Sequence, residues 1–173
     1  GFWSAFKLFI NIFRPRMSPS TAASFRHMDK FAHLTIENKD VEQRENDLQI
    51  GFTVEEMAIR VENLLKSIGL VKDFSSLIYA IGHGSSSVNN PHYAAYDCGA
   101  CSGRAGSVNS RTFCFMANHP KVREILRSKG IDIPKETQFI GGLHDTSRDE
   151  IIFFDEKSLT KLNLENHNKN EVV

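Results

Sequence analysis

The chain has 173 residues, 40% of them apolar, with 21 basic and 21 acidic side chains and a formal net charge of +0. That length accommodates one hydrophobic core without requiring two, and the balanced charge excludes the global signature of a nucleic-acid binder. Three cysteines, an odd number, argue against a disulfide framework and for reduced thiols that bind a metal or lie buried.

The chain starts at Gly1 without an initiator Met and is apolar from its first residues. It lacks the charged leader and cleavage site of a secretory signal, and the expectation is a piece of a longer polypeptide. No run of about 18 apolar residues is present, so no membrane-spanning helix is expected. Phe2, Trp3, Phe6, Phe9, Ile10 and Phe13 recur at helical spacing, with Lys7, Arg14 and Arg16 nearby. Such a stripe fits a helix packed on protein core, or one lying on a membrane or membrane partner. Pro15 and Pro19 end it. From Ser18 to Gly51 the sequence is polar and irregular, with scattered Phe25, Phe31, Leu34 and Ile36. The charged mixture from Glu37 to Asp47 reads as a solvated loop or helix face. Residues 1–50 are therefore an aromatic helix and an irregular connection.

The clearest element follows. Thr53 with Glu56 three residues later is a capping box. Val54, Met57, Ala58, Val61, Leu64, Leu65 and Ile68 then keep the i, i+3, i+4 rhythm until Gly69, which predicts one amphipathic helix. Leu77–Ile81 is a short apolar run suited to an interior strand. Helices are predicted over 108–118 and over 120–129, the second opened by Pro120 and closed by Gly130. Thr137–Ile140 and Ile151–Phe154 read as two further strands. This order gives an α/β fold, a parallel or mixed sheet flanked by helices, over 51–155, with 156–173 as a polar tail.

Chemistry concentrates in the stretch IGHGSSSVNNPHYAAYDCGACSGRAG, from Ile81 to Gly106. Ligands in open α/β sheets bind beyond the carboxyl ends of strands. His83 is expected at such an end, between Gly82 and Gly84, which leave room for it. Cys98 and Cys101 form a Cys-x-x-Cys pair. Imidazole nitrogen and thiolate sulfur are donors that zinc prefers, yet one such pair is only part of a zinc site. Structural alternatives stand beside this reading: a hydrogen-bonded histidine and a thiol that packs as a small apolar group. Cys114, between Phe113 and Phe115, reads as core. Ser85, Ser86, Ser87, Asn89 and Asn90 could hold a small anion or satisfy their own loop backbone. The loop lacks the Gly-Lys-Ser/Thr ending of a P-loop. A Cys98–His83 nucleophile would need an orienting carboxylate, for which Asp97 is poorly placed by adjacency. His144 and Asp145, past another strand end, are candidates for a third ligand, an orienting partner, a proton relay or a plain turn cap. His92 is a candidate loop contact.

The segment GHGSSSVNNPHYAAYDCGACSGRAGSVNSRTFCFMAN resembles the DabA family, the large peripheral subunit of an energy-coupled inorganic carbon transporter. The resemblance extends upstream through GFTVEEMAIRVENLLKSIGL and downstream through NHPKVREIL, GIDIP and IGGLHDTSRDEIIFFD. It thus covers roughly Gly51 to Asp155, and implies the C-terminal part of such a subunit. It further implies a partial β-carbonic-anhydrase-like sheet whose zinc is held by Cys and Asp of a Cys-x-Asp-x-Arg strand, the His of Gly-His-Gly and the first Cys of Asp-Cys-Gly-Ala-Cys. The last two fall on His83 and Cys98; Cys101 matches the motif without being a ligand. Implied with them are Zn2+, hydration of CO2 to bicarbonate, and a cation-antiporter-like membrane subunit of DabB type. The implied location is peripheral, on the cytoplasmic face of the inner membrane.

No cysteine here is followed by x-Asp-x-Arg; the three contexts read CGAC, CSGR and CFMA. The Asp/Arg dyad is thus missing from this chain, no catalytic residue is assigned within it, and weak zinc binding without CO2 hydration is expected of it alone. Two other classes remain: an interaction module that docks a membrane partner without catalysis, and a thiol hydrolase or anion-binding protein built on the central loop.

Overall fold

The structure is a computed structural model and describes residues 3, 5, 6, 9, 13, 33–40, 44–85, 97–101 and 103–171. The expected positions Phe2, Lys7, Ile10, Arg14, Pro15, Arg16, Pro19, Phe25, Phe31, Ser86, Ser87, Asn89, Asn90 and His92 lie outside the described residues.

Helix α1 (Val54–Ser67) begins as its sequence dictates: Glu56 N donates to Thr53 Oγ1 at 3.2 Å, and Thr53 N donates to Glu56 Oε2 at 2.9 Å. Two of the orphan donors of the first turn are satisfied reciprocally. The 3.6-residue rhythm buries Met57, Ala58, Val61 and Leu65 on one face. Gly69, at φ +75°, turns the chain out of the helix without the penalty a Cβ would bring.

Strand β3 (Leu77–Gly84) pairs in parallel with β4 (Gln138–Asp145), from Leu77↔Gln138 through to Gly84↔Asp145. Strand β5 (Glu150–Phe153) closes antiparallel onto β4, giving a three-stranded mixed sheet in the order β3-β4-β5. The α/β fold expected from the sequence is the fold observed. Both parallel strands run further than their apolar stretches suggested. Gly82 and Gly84 continue β3, and Gly141 and Gly142 continue β4. These glycines allow close packing and do not mark turns. A Cβ on Gly141 would sit 3.1 Å from the Arg111 backbone, and one on Gly142 would sit 2.7 Å from Ile81 Cδ1.

The crossover between the parallel strands carries α2 (Ser107–Asn118) and α3 (Pro120–Ser128), with Pro120 at the first position of α3 as expected. α1, α2 and α3 enclose the main core, in which Met57, Val61, Leu65, Val122, Leu126, Ile131, Ile133 and Phe139 are buried. Each such side chain contributes about 1.5–3 kcal/mol relative to staying exposed. Arg123 fastens this crossover by donating to the carbonyls of Ala117, Pro134 and Thr137.

Two regions depart from the sequence expectation. The polar tail holds helix α4 (Lys161–Glu171), anchored by polar burial in place of an apolar stripe. Asn163, 2% exposed, donates through Nδ2 to Ser76 O and Glu136 O, while buried His167 meets Tyr79 Oη through Nδ1 at 3.1 Å. Within the stretch read as a solvated loop or helix face, β1 (Arg44–Glu45) and β2 (Leu48–Gln49) form a small antiparallel hairpin. Asn46 and Asp47, at φ 50° and 63°, supply the two left-handed residues its tight turn requires.

Toward the N-terminus, Trp3, Phe6, Phe9 and Phe13 are helical and exposed, and the Phe9 and Phe13 rings lie 4.6 Å apart. No helix among the described residues is long and apolar enough to cross a membrane.

Candidate metal centre

Because a parallel strand delivers its carboxyl end to one side of the sheet, His83 arrives beside the loop that follows. That loop returns against the strand with almost no space between. A Cβ on Gly82 would meet Gly106 O at 2.5 Å, and Gly106 N donates to His83 O at 2.8 Å. Only a glycine at position 82 permits this approach.

Beside this contact, toward α1 and α2, lies a cavity of about 380 Å³ whose wall includes His83, Cys98, Cys101, Asn109, Ile78 and Phe113. The structure thus brings the two predicted donors onto the wall of one cavity. His83 Nδ1 is 2.9 Å from the Thr146 hydroxyl, a contact that holds the imidazole through Nδ1 and does not engage Nε2. Thr146 itself is set by its N–H, which donates to Gly84 O at 2.9 Å.

Cys98 is held by its own turn. Its N–H donates to Arg104 O, and the N–H groups of Cys101 and Gly103 both donate to Cys98 O. The Cys101 thiol donates to Cys98 Sγ at 2.9 Å and receives Asn109 Nδ2 at 3.3 Å. Its bond to Cys98, followed by burial, pushes the Cys101 thiol above its ordinary value. Cys114 is core, as expected; burial pushes its thiol up to about 12.

The remaining candidates point elsewhere. Asp97 Oδ1 accepts the Ser85 N–H at 2.8 Å, tying the returning loop to the end of β3; with His83 held by Thr146, no Cys98–His83–Asp97 relay is assembled. The Ser85 and Ser147 hydroxyls hydrogen-bond each other. His144 is the register partner of His83, but its Nε2 lies 3.0 Å from Asp149 Oδ1. Asp145 Oδ1 accepts the Ser147 N–H, and neither His144 nor Asp145 lines the cavity. Thr146, Asn109 and Gly106 were not singled out in the sequence. The signal for Thr146 was its position directly after the strand that pairs with β3.

Zinc requires four donors, commonly nitrogen and sulfur. His83 and Cys98 fit that chemistry and share a cavity, but among the described residues no group of three or more His, Cys, Asp or Glu side chains is placed to hold a metal ion. The described residues thus offer two donors of types that zinc accepts, where a complete site needs four.

A three-stranded mixed α/β unit with a cysteine- and histidine-lined cavity at the carboxyl end of its outer strand is the class this architecture defines. The family model described as "Probable inorganic carbon transporter subunit DabA" matches residues 1–172, and the chain belongs to that family. The match takes in the first 50 residues and the tail, beyond the Gly51–Asp155 stretch that carried the resemblance. The chain is 61% identical over 173 residues to a probable inorganic carbon transporter subunit DabA of Azotobacter vinelandii, covering 100% of this chain and 20% of that protein. The corresponding subunit of Nitrosospira multiformis is 59% identical over 176 residues, covering 100% of this chain and 19% of its own length. That of Aquifex aeolicus is 47% identical over 108 residues, 62% of this chain and 11% of the relative. The chain therefore spans about a fifth of the curated relatives it matches end to end. No solved structure matches it.

Proposed function

We propose that this chain supplies two ligands, His83 and Cys98, to a zinc centre in a DabA-type subunit that hydrates CO2 to bicarbonate for an inorganic carbon transporter. The observation that carries the reading is the placement of both donors on one cavity wall, with the imidazole oriented by Thr146. Zinc, when bound, supplies Lewis acidity that brings the pKa of water toward neutrality. The chain's own residues hold the donors and shape the space. Thr146 fixes the imidazole, the turn hydrogen bonds fix the Cys98 sulfur, and the Ile78 and Phe113 wall offers an apolar surface to an uncharged, linear substrate.

The other donors come, in this reading, from a Cys-x-Asp-x-Arg segment elsewhere in the polypeptide. Support lies in the open side of the unit. β3 is the outer strand of its sheet, and the cavity rim exposes Leu64, Ile68 and Ile81. An apolar rim beside an unextended sheet edge is a surface suited to further protein. The subunit works with a DabB-type, cation-antiporter-like membrane partner at the cytoplasmic face of the inner membrane; the relatives' name, a transporter subunit, supports a partner of some kind.

Metal content of the complete polypeptide tests the proposal. His83→Ala and Cys98→Ser should each abolish stoichiometric zinc, and Thr146→Val should weaken it about 10–100-fold. Full zinc retention in both ligand variants would refute it. The exposed Trp3, Phe6, Phe9 and Phe13 favour a second reading, an interaction module that docks a membrane partner without catalysis. CO2-dependent growth that is unchanged by the ligand variants would support that module instead.

A further inference from the structure

We propose that Cys98 and Cys101 form a reversible disulfide, a thiol-modification site at which oxidation withdraws Cys98 from the metal; the metal consequence rests on the zinc reading above, whereas the disulfide does not. The two sulfurs lie 2.9 Å apart as free thiols, donor to acceptor. A disulfide needs about 2.05 Å, so closing the bond takes a shift of less than one ångström, within the reach of small χ1 adjustments. The backbone already holds the pair in a tight turn, with Cys101 N donating to Cys98 O at 3.0 Å and Arg104 N donating to Cys101 O at 3.2 Å. Both cysteines are partly exposed and line the same cavity, so a small oxidant can reach them. Cys114 is buried in the core and takes no part.

The oxidant is a low-molecular-weight disulfide of the oxidised-glutathione class. One thiol attacks it, a mixed disulfide forms and one small thiol leaves. The second cysteine then displaces the other small thiol. An S–S bond forms within the turn, the external S–S bond is broken, and two electrons and two protons from the cysteine thiols end on the two departing small thiols. The metal's donor set loses one sulfur. A reductant of the dithiol class reverses the exchange.

The complete, zinc-loaded polypeptide would be treated with diamide, whose azo bond takes up the same two electrons and two protons, and then alkylated and peptide-mapped without reduction. The expected product is a linked Cys98–Cys101 peptide lacking two hydrogens, with zinc released in step and both effects undone by dithiothreitol. Cys101→Ser should keep its zinc and resist the same oxidant. Separate alkylation of Cys98 and Cys101 after treatment would overturn the proposal, as would zinc loss from Cys101→Ser equal to that from the parent. A reduced parent that holds no zinc while the linked peptide still forms would overturn the metal reading and uphold the disulfide.

Discussion

Replacing Gly82 by alanine is the sharpest structural test of how the loop is clamped to the strand. The added Cβ would lie 2.5 Å from Gly106 O and 2.6 Å from Gly106 C, both backbone atoms that cannot swing aside as a side-chain tip would. Strand and loop must separate, and with them goes the 2.8 Å bond from Gly106 N to His83 O. Overpacking costs about 1–3 kcal/mol and the lost hydrogen bond about 1 kcal/mol, so the substitution should destabilise by about 2–4 kcal/mol. For a chain of this size that corresponds to a fall in Tm of roughly 4–16 °C. Gly99→Ala is the matched control in the same loop, since a Cβ there meets nothing within 4 Å. Circular dichroism melts of the three proteins give the answer. A Gly82→Ala midpoint equal to that of Gly99→Ala would refute the close-approach argument.

Other outcomes follow from burial and polarity. Asn163→Ala should cost about 1–3 kcal/mol, because Ser76 O and Glu136 O lose their shared donor; urea denaturation measures it, and an unchanged midpoint would show that α4 is not fastened this way. The Cys114 thiol, pushed up to about 12 by burial, should carry a thiolate fraction of roughly one in ten thousand at pH 8 and resist iodoacetamide while the protein stays folded. Because its folded value lies above the ordinary 9.0, its contribution to stability is whole below pH 9.0 and is lost as pH rises through about 12. Replacing it with alanine should flatten that alkaline loss in a pH series of melts.

How much of this was legible beforehand varies with the kind of force involved. α1 was readable because its cap and its apolar rhythm are local, and both are realised at Thr53, Glu56 and the buried Met57–Leu65 face. β3 and β4 were readable as apolar runs, but their lengths were not. Gly82, Gly141 and Gly142, just past the apolar runs, are kept small by contact with Gly106, Arg111 and Ile81, all remote in sequence. α4 was missed because Asn163 and His167 are buried through hydrogen bonds to Ser76, Glu136 and Tyr79, and such partners leave no periodic trace. At the candidate site, His83 and Cys98 stood out by residue type and spacing, and both line one cavity. Thr146 did not stand out, because it lies 63 residues from His83 and reaches it only through the parallel register of two strands.

The position of β3 has a practical corollary. Its eight residues, LIYAIGHG, include no lysine and no proline, the residues that usually keep an outermost strand from recruiting a neighbour. Among the described residues no strand pairs with the outer edge of β3, which leaves a ladder open to a second copy. Turbidity that climbs with concentration, and that a charged substitution at half-exposed Ile81 relieves, would be the laboratory sign of it.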